Sequence, residues 1–278
     1  MELIATRILH CLNYLQDIDY VAQIVNSTSQ AKLCNIINEL LQSQDSETVG
    51  LTCLFIRDLV ISGSRHPDCD KFVQDYSKSS IIKTLENLLF SQNHFNRCQA
   101  VYTLGKTDSY SSIFALNQAF HVFRDTDPIL LPRLIGEMGW LGTDRFWSLL
   151  DSMIDSPIYI TRWAAIAVLK EFNSGDEGSR DELFQGKLKC IEKMRRDSNL
   201  LVQAEAEYEY QFLKFRSESY DLLKTDRKRQ RKALERQYRP AVRFSYISNM
   251  FKNHLYDKGL NQYSIDELEE FISDTVKP

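Results

Sequence analysis

The residues able to do chemistry are scattered along the chain. Six cysteines (Cys11, Cys34, Cys53, Cys69, Cys98 and Cys190) and five histidines (His10, His66, His94, His121 and His254) include no CxxC pair and no HExxH, the spacings that bring metal ligands or a redox dithiol together. Cys53 and Cys98 fall inside apolar helical patterns, where a thiol acts as a small hydrophobic residue. One local cluster, His66, Asp68, Cys69 and Asp70 around Pro67, has the right residue types for a metal. Such a site needs several convergent oxygens, thiolates or imidazoles, whereas a proline turn leading into a helix accounts for the two aspartates. The expectation there is a capped helix start with Cys69 as an exposed thiol. No GxSxG elbow and no glycine-rich phosphate loop occurs. These residues predict no catalytic group, no metal and no cofactor, and point to a binding protein in place of an enzyme.

Charge is the other resource. The 278 residues carry a formal net charge of −4, yet the segment 224–243 holds nine Lys or Arg against two acids, a local +7 that leaves −11 on the remainder. An acidic body repels polyanions, so nucleic acid is disfavoured as a partner, while the basic segment can meet an acidic protein or an anionic surface.

Helices must position these groups. Hydrophobic residues make up 43% of the chain, enough for a sizeable core, and only 10 Gly and 6 Pro are available for the tight turns that an all-β chain consumes. Leu33, Ile36, Ile37, Leu40 and Leu41 recur at helical spacing, and Ser29 and Asp45 stand where a side-chain oxygen can accept a first-turn N–H. Turn-like stretches at 62–68, 106–109, 125–128 and 173–178 separate short helices. No stretch reaches the roughly 18 apolar residues needed to span a bilayer, and the first residues lack a charged-then-apolar leader. A cytoplasmic protein is expected.

The helix–turn–helix rhythm repeats. In 97–105, Arg97 precedes Ala100, Val101, Leu104 and Gly105; a similar run follows Leu131 with Arg133, Ile135, Gly136 and Met138, and another follows Arg162 with Ala164, Ala165, Ile166 and Leu169. Taking residues 97, 131 and 162 as equivalent gives intervals of 34 and 31 residues, suited to paired helices that each bury an apolar face on the next pair. Ala100, Gly136, Ala164 and Ala165 allow close helix approach, and Leu104, Ile135, Met138, Ile166 and Leu169 are the expected core.

Over about residues 45–215 these runs resemble the second-helix pattern of HEAT repeats, of the short-repeat type that includes phycobilin-lyase-like HEAT proteins. The resemblance implies an all-α, right-handed α-solenoid of HEAT-like helix pairs over 1–216 with a C-terminal helical extension over 217–278. It implies three functions. The first is a non-catalytic scaffold or adaptor that holds a protein partner on its concave surface. The second is a lyase or chaperone handling a tetrapyrrole chromophore or its acceptor protein, and the third is a glycosylase gripping DNA in a basic concavity, which the acidic body disfavours.

On the scaffold reading, Arg133, Trp140, Arg162 and Trp163 are the groove candidates, because Arg and Trp dominate binding hot spots. Core packing is the first reading for each Trp, with the groove second, and pairing with acids of the next repeat is the alternative for Arg97 and Arg162. Lys228, Arg229, Arg231 and Lys232 form a basic arm on a helix that lacks apolar residues over 224–232 and should end at Pro240. Beyond it, Phe244, Ile247, Phe251 and Leu255 form an apolar stripe that must dock on the chain itself, on a partner or on a membrane surface. Ser264 and Glu267 have the spacing of a capping box that opens a last, acidic helix.

Overall fold

A computed structural model of the chain describes residues 2–11, 17–76, 80–107, 110–140, 145–171, 180–218 and 223–276. Among these residues there are sixteen α-helices, one 3-10 turn (Tyr110–Ser112) and no strand. In chain order the helices are α1 (Glu2–Leu9), α2 (Ile18–Asn26), α3 (Gln30–Leu41), α4 (Ser46–Gly63), α5 (Pro67–Tyr76), α6 (Ser80–Leu88), α7 (His94–Lys106) and α8 (Ile113–Phe123). They continue as α9 (Leu131–Trp140), α10 (Phe146–Ile154), α11 (Tyr159–Glu171), α12 (Arg180–Met194), α13 (Leu200–Glu218), α14 (Lys224–Tyr238), α15 (Phe244–Asp257) and α16 (Ile265–Thr275). None of the described helices is long and apolar enough to cross a membrane. The expected turn at 173–178 lies outside the described residues.

The chain forms two compact units, the first being Met1–Val122 with Glu137–Thr143 and the second Phe123–Gly136 with Asp144–Pro278. The segment 217–278, expected as an extension, shares the second unit with α10–α13.

In the first unit the hairpins α3–α4 and α6–α7 stack in two layers, α3 on α6 and α4 on α7. Side-chain caps start three of these helices: the Ser29 hydroxyl accepts from Lys32 N, the Asp45 carboxylate from Glu47 N and Thr48 N, and the Asn93 amide oxygen from Phe95 N and Asn96 N. Leu33, Ile37, Val49, Cys53, Ile56, Leu85, Val101 and Leu104 are buried between the layers; each large aliphatic among them contributes roughly 1.5–3 kcal/mol on transfer from water. Arg57 is buried with them and donates to Gln99 Oε1 and Thr103 Oγ1, both at 3.0 Å, which ties α4 to α7. Its guanidinium also lies 4.5 Å from the Tyr102 ring centroid. As expected, α5 opens at Pro67 with Asp68 and Asp70 in its first turn. The exposed thiol expected at Cys69 is a correction: Cys69 is 0% exposed, because α5 packs on α2 and α4 and Cys69 and Phe72 form its inner face.

The second unit repeats the arrangement, with α10 on α12 and α11 on α13. Its core includes Leu150, Met153, Trp163, Ala164, Ile166, Ile191, Met194, Val202 and Ala206. Arg162 donates to the Ser156 and Pro157 carbonyls, six and five residues before it, at 2.8 and 3.1 Å. Arg97 does the same with the carbonyls of Ser91 and Gln92, at 2.7 and 2.8 Å. These two arginines occupy one structural position. Leu131, grouped with them by its neighbours in sequence, is a buried aliphatic with no such bonds to make. The apolar stripe Phe244, Ile247, Phe251 and Leu255 is self-docked, buried in the second unit where α15 packs on α11 and α16 on α15. Membrane-surface contact through that stripe therefore has no exposed apolar face to use. Phe251 sits at the middle of the extension, edge-on to Tyr263 and Phe271 with centroids at 5.0 and 5.1 Å. The Tyr263 hydroxyl donates to Asp127 Oδ1 at 2.7 Å, joining residues 136 positions apart.

Candidate functional site

Helix α14 is built from good helix formers and has no buried residue. With no apolar residue over its first nine positions it cannot enter a core, so it lies along α13 and turns its charge outward. The α13-facing side is formed by Gln230, Leu234, Gln237 and Tyr238, across a shallow groove from Gln211, Lys214 and Phe215. Arg231 belongs to that side as well: it bonds Glu235 Oε1 at 2.9 Å and lies 5.5 Å from the Phe212 ring centroid. Lys228, Arg229, Lys232 and Arg236 remain on the outer surface, all exposed. The helix ends at Tyr238, two residues before Pro240.

A buried polar cluster in the second unit anchors the chain where it leaves α14 and enters α15. Glu205, 1% exposed, accepts the indole N–H of Trp163 at 2.6 Å and the backbone N–H of Phe244 at 2.8 Å, the first amide of α15. Lys170 Nζ lies 3.4 Å from Glu205 Oε1 and 3.1 Å from Glu209 Oε1. Burial pushes the Glu205 carboxyl above the usual carboxylate range, against the pull of the Phe244 N–H, Lys170 and the Trp163 N–H. The Phe244 ring meets the Trp163 ring edge-on at 5.8 Å, and the Arg243 guanidinium lies 4.5 Å from the Tyr208 centroid. One carboxylate thus satisfies a core indole and the start of α15 together, and fixes the distal end of the α14–α15 connection.

The sequence-predicted residues go to different places. Trp163 is a core residue, 0% exposed, and its assignment to the groove is corrected by the bond to Glu205. Arg162 takes the structural alternative: it makes a two-pronged bond to Asp197, Nε to Oδ2 at 2.7 Å and Nη2 to Oδ1 at 2.9 Å, in the turn leading into α13. Asp197 is held below the usual carboxylate range, burial being outweighed by Arg162 and the Asn199 N–H. Arg133 is exposed on α9. The side chain of Trp140 lies outside the described residues. Lys228, Arg229 and Lys232 come together on the outer face of α14, and Arg231 turns away from them. Glu205 was missed, although a signal existed: it shares the row Val202, Glu205, Ala206, Glu209, and a carboxylate on an apolar helical stripe needs a buried partner. Cys98 Sγ and His94 Nε2 are 3.4 Å apart, an i, i+4 contact on α7 that spacing alone could have suggested. No group of three or more His, Cys, Asp or Glu poised for a metal occurs among the described residues.

No family model matches the chain, and no curated protein matches it. Among solved structures it is similar to a crystallised engineered protein, a structural-genomics target, at 15% sequence identity and a TM-score of 0.38 over 77% of this chain and 97% of that one. Similarity at this level carries no function across.

Proposed function

We propose that the chain is a non-catalytic protein-binding scaffold, an α-solenoid of HEAT-like helix pairs that recognises an acidic protein surface through the outer face of α14. The observation that carries it is the stripe of Lys228, Arg229, Lys232 and Arg236, exposed on a helix whose opposite side is seated on α13. A stripe held on a folded support costs less ordering on binding than a flexible tail, and its field speeds encounter with an acidic surface. The HEAT-like reading is supported by the two-layer stacking of hairpins within each unit and by the equivalent bonds of Arg97 and Arg162. Six free cysteines accord with a reducing cytoplasm.

The test is affinity capture from the host lysate with the intact chain and with the K228E/R229E/K232E/R236E variant, both first shown to be folded by circular dichroism. Truncation after Leu223 is the wrong control, because it removes Phe244 and Phe251 from the core. A specific protein retained by the intact chain, and lost on charge reversal and at high salt, supports the proposal. Equal capture by both forms overturns it, as does a nucleic acid or a pigment as the retained species.

A further inference from the structure

The acidic partner of α14 can be sought in the chain itself. On α14, Lys228, Lys232 and Arg236 stand at i, i+4 and i+8 with Arg229 alongside, all exposed. On α16, Asp266, Glu270 and Asp274 stand at the same i, i+4 and i+8 with Glu267 alongside, and these four are exposed too. Residues four apart on a helix share a face and lie about 6 Å apart along its axis. Two such helices laid side by side therefore set three cations against three anions in register. Packing gives each helix its outward face: α16 turns Leu268 and Ile272 inward toward α15, and α14 turns Leu234 and Tyr238 toward α13. The 11 residues of α16 include five acids and no base, so its outer surface is as one-sided as that of α14.

We infer that a second copy of this chain is the occupant of the basic stripe, with α14 of one copy lying along α16 of the other. This rests on the reading of α14 as a protein-binding surface and names its partner. In a two-fold dimer the contact is made twice, each copy giving α14 and receiving on α16, so assembly closes at two copies. Exposed ion pairs are individually weak, and the dimer is held by their sum. It is accordingly salt-sensitive, forming at about 50 mM salt and dissociating near 1 M, where charges are screened within roughly 3 Å.

The test is sedimentation velocity on the full chain at low and high salt, with folding checked by circular dichroism. Four samples are compared: wild type, K228E/K232E/R236E, D266K/E270K/D274K, and an equimolar mixture of the two variants. The expected result is a wild-type dimer at low salt that becomes a monomer at high salt, and a self-affinity weakened by at least about 100-fold in each variant alone. The mixture should dimerise again, because reversed α14 then faces reversed α16 while the native pair of helices also remains complementary. A monomeric wild type at low salt overturns the inference, as does a dimer indifferent to either reversal or a mixture that stays monomeric. If the wild type is monomeric while lysate capture is still lost on reversing α14, self-pairing falls and the protein-binding reading stands; if reversal changes neither dimer nor capture, both fall.

Discussion

Replacing Glu205 with alanine strands two donors that have no access to water, the Trp163 indole N–H and the Phe244 backbone N–H. A buried donor left without a partner costs about 1–3 kcal/mol, so the variant should lose about 3–4 kcal/mol of stability. In urea unfolding followed by circular dichroism, that lowers the midpoint by roughly 1–2 M. Both donors meet the same oxygen, Oε2, so a glutamine amide oxygen can accept from both while its NH2 replaces the oxygen that faces Lys170, and Glu205→Gln should lose no more than about half as much. The pH dependence has a definite sign. The folded carboxyl holds its proton more tightly than the unfolded one, whose reference value is 4.5. Between the two values the folded state binds more protons, and stability falls as the pH rises through that window. The advantage of wild type over Glu205→Gln should therefore widen as the pH is lowered toward 4.5. An alanine variant within about 0.5 kcal/mol of wild type would refute the clamp; so would a glutamine gap that narrows on acidification.

Two further substitutions probe the second unit. A Cβ at Gly186 would lie 2.7 Å from two ring atoms of Trp147, so Gly186→Ala should lower the melting temperature, although in an open helix the same change gains about 1 kcal/mol; a raised melting temperature would show that the ring gives way freely. Asp197→Asn removes a charge-assisted pair with Arg162 and should cost about 1.5–3 kcal/mol near neutral pH. Because the folded Asp197 lies below the ordinary value of 3.8, its contribution is present above that pH and is lost as the pH falls through the folded value, so the wild-type advantage should shrink in acid titrations monitored by circular dichroism.

The helical class was legible because its signals are local. Ser29 and Asp45 cap the helices expected of them, and the Ser264–Glu267 box is formed in both directions. Leu104, Ile135, Met138, Ile166 and Leu169 are all buried, as small-and-large patterning implied. What was lost depends on partners far away in sequence. Trp163 is the core residue that its bulk implied, but the partner of its indole N–H, Glu205, stands 42 residues on and leaves no mark near it. Arg162 and Arg231 have the same side chain, and their roles differ because one meets Asp197 and the other Phe212 and Glu235. Cys69 sits among charged residues in sequence, yet its helical phase turns it inward with Phe72. The repeat register went astray by grouping Leu131 with Arg97 and Arg162, since the carbonyls an arginine binds leave no mark on its own identity.

The bond from Tyr263 to Asp127 and the seat of Phe244 against Trp163 bear on how the chain is made. During synthesis, α10–α13 emerge first, with the Glu205 carboxylate already bonded to the Trp163 indole but still waiting for an amide nearly forty residues downstream. Until α15 arrives, the second unit has an apolar gap beside Trp163 and a carboxylate short of one of its donors, and it must close a long loop at entropic cost. The nascent polypeptide is thus exposed to aggregation for the time taken to translate 206–271, and a ribosome stalled within α14 would present the unfinished core to chaperones.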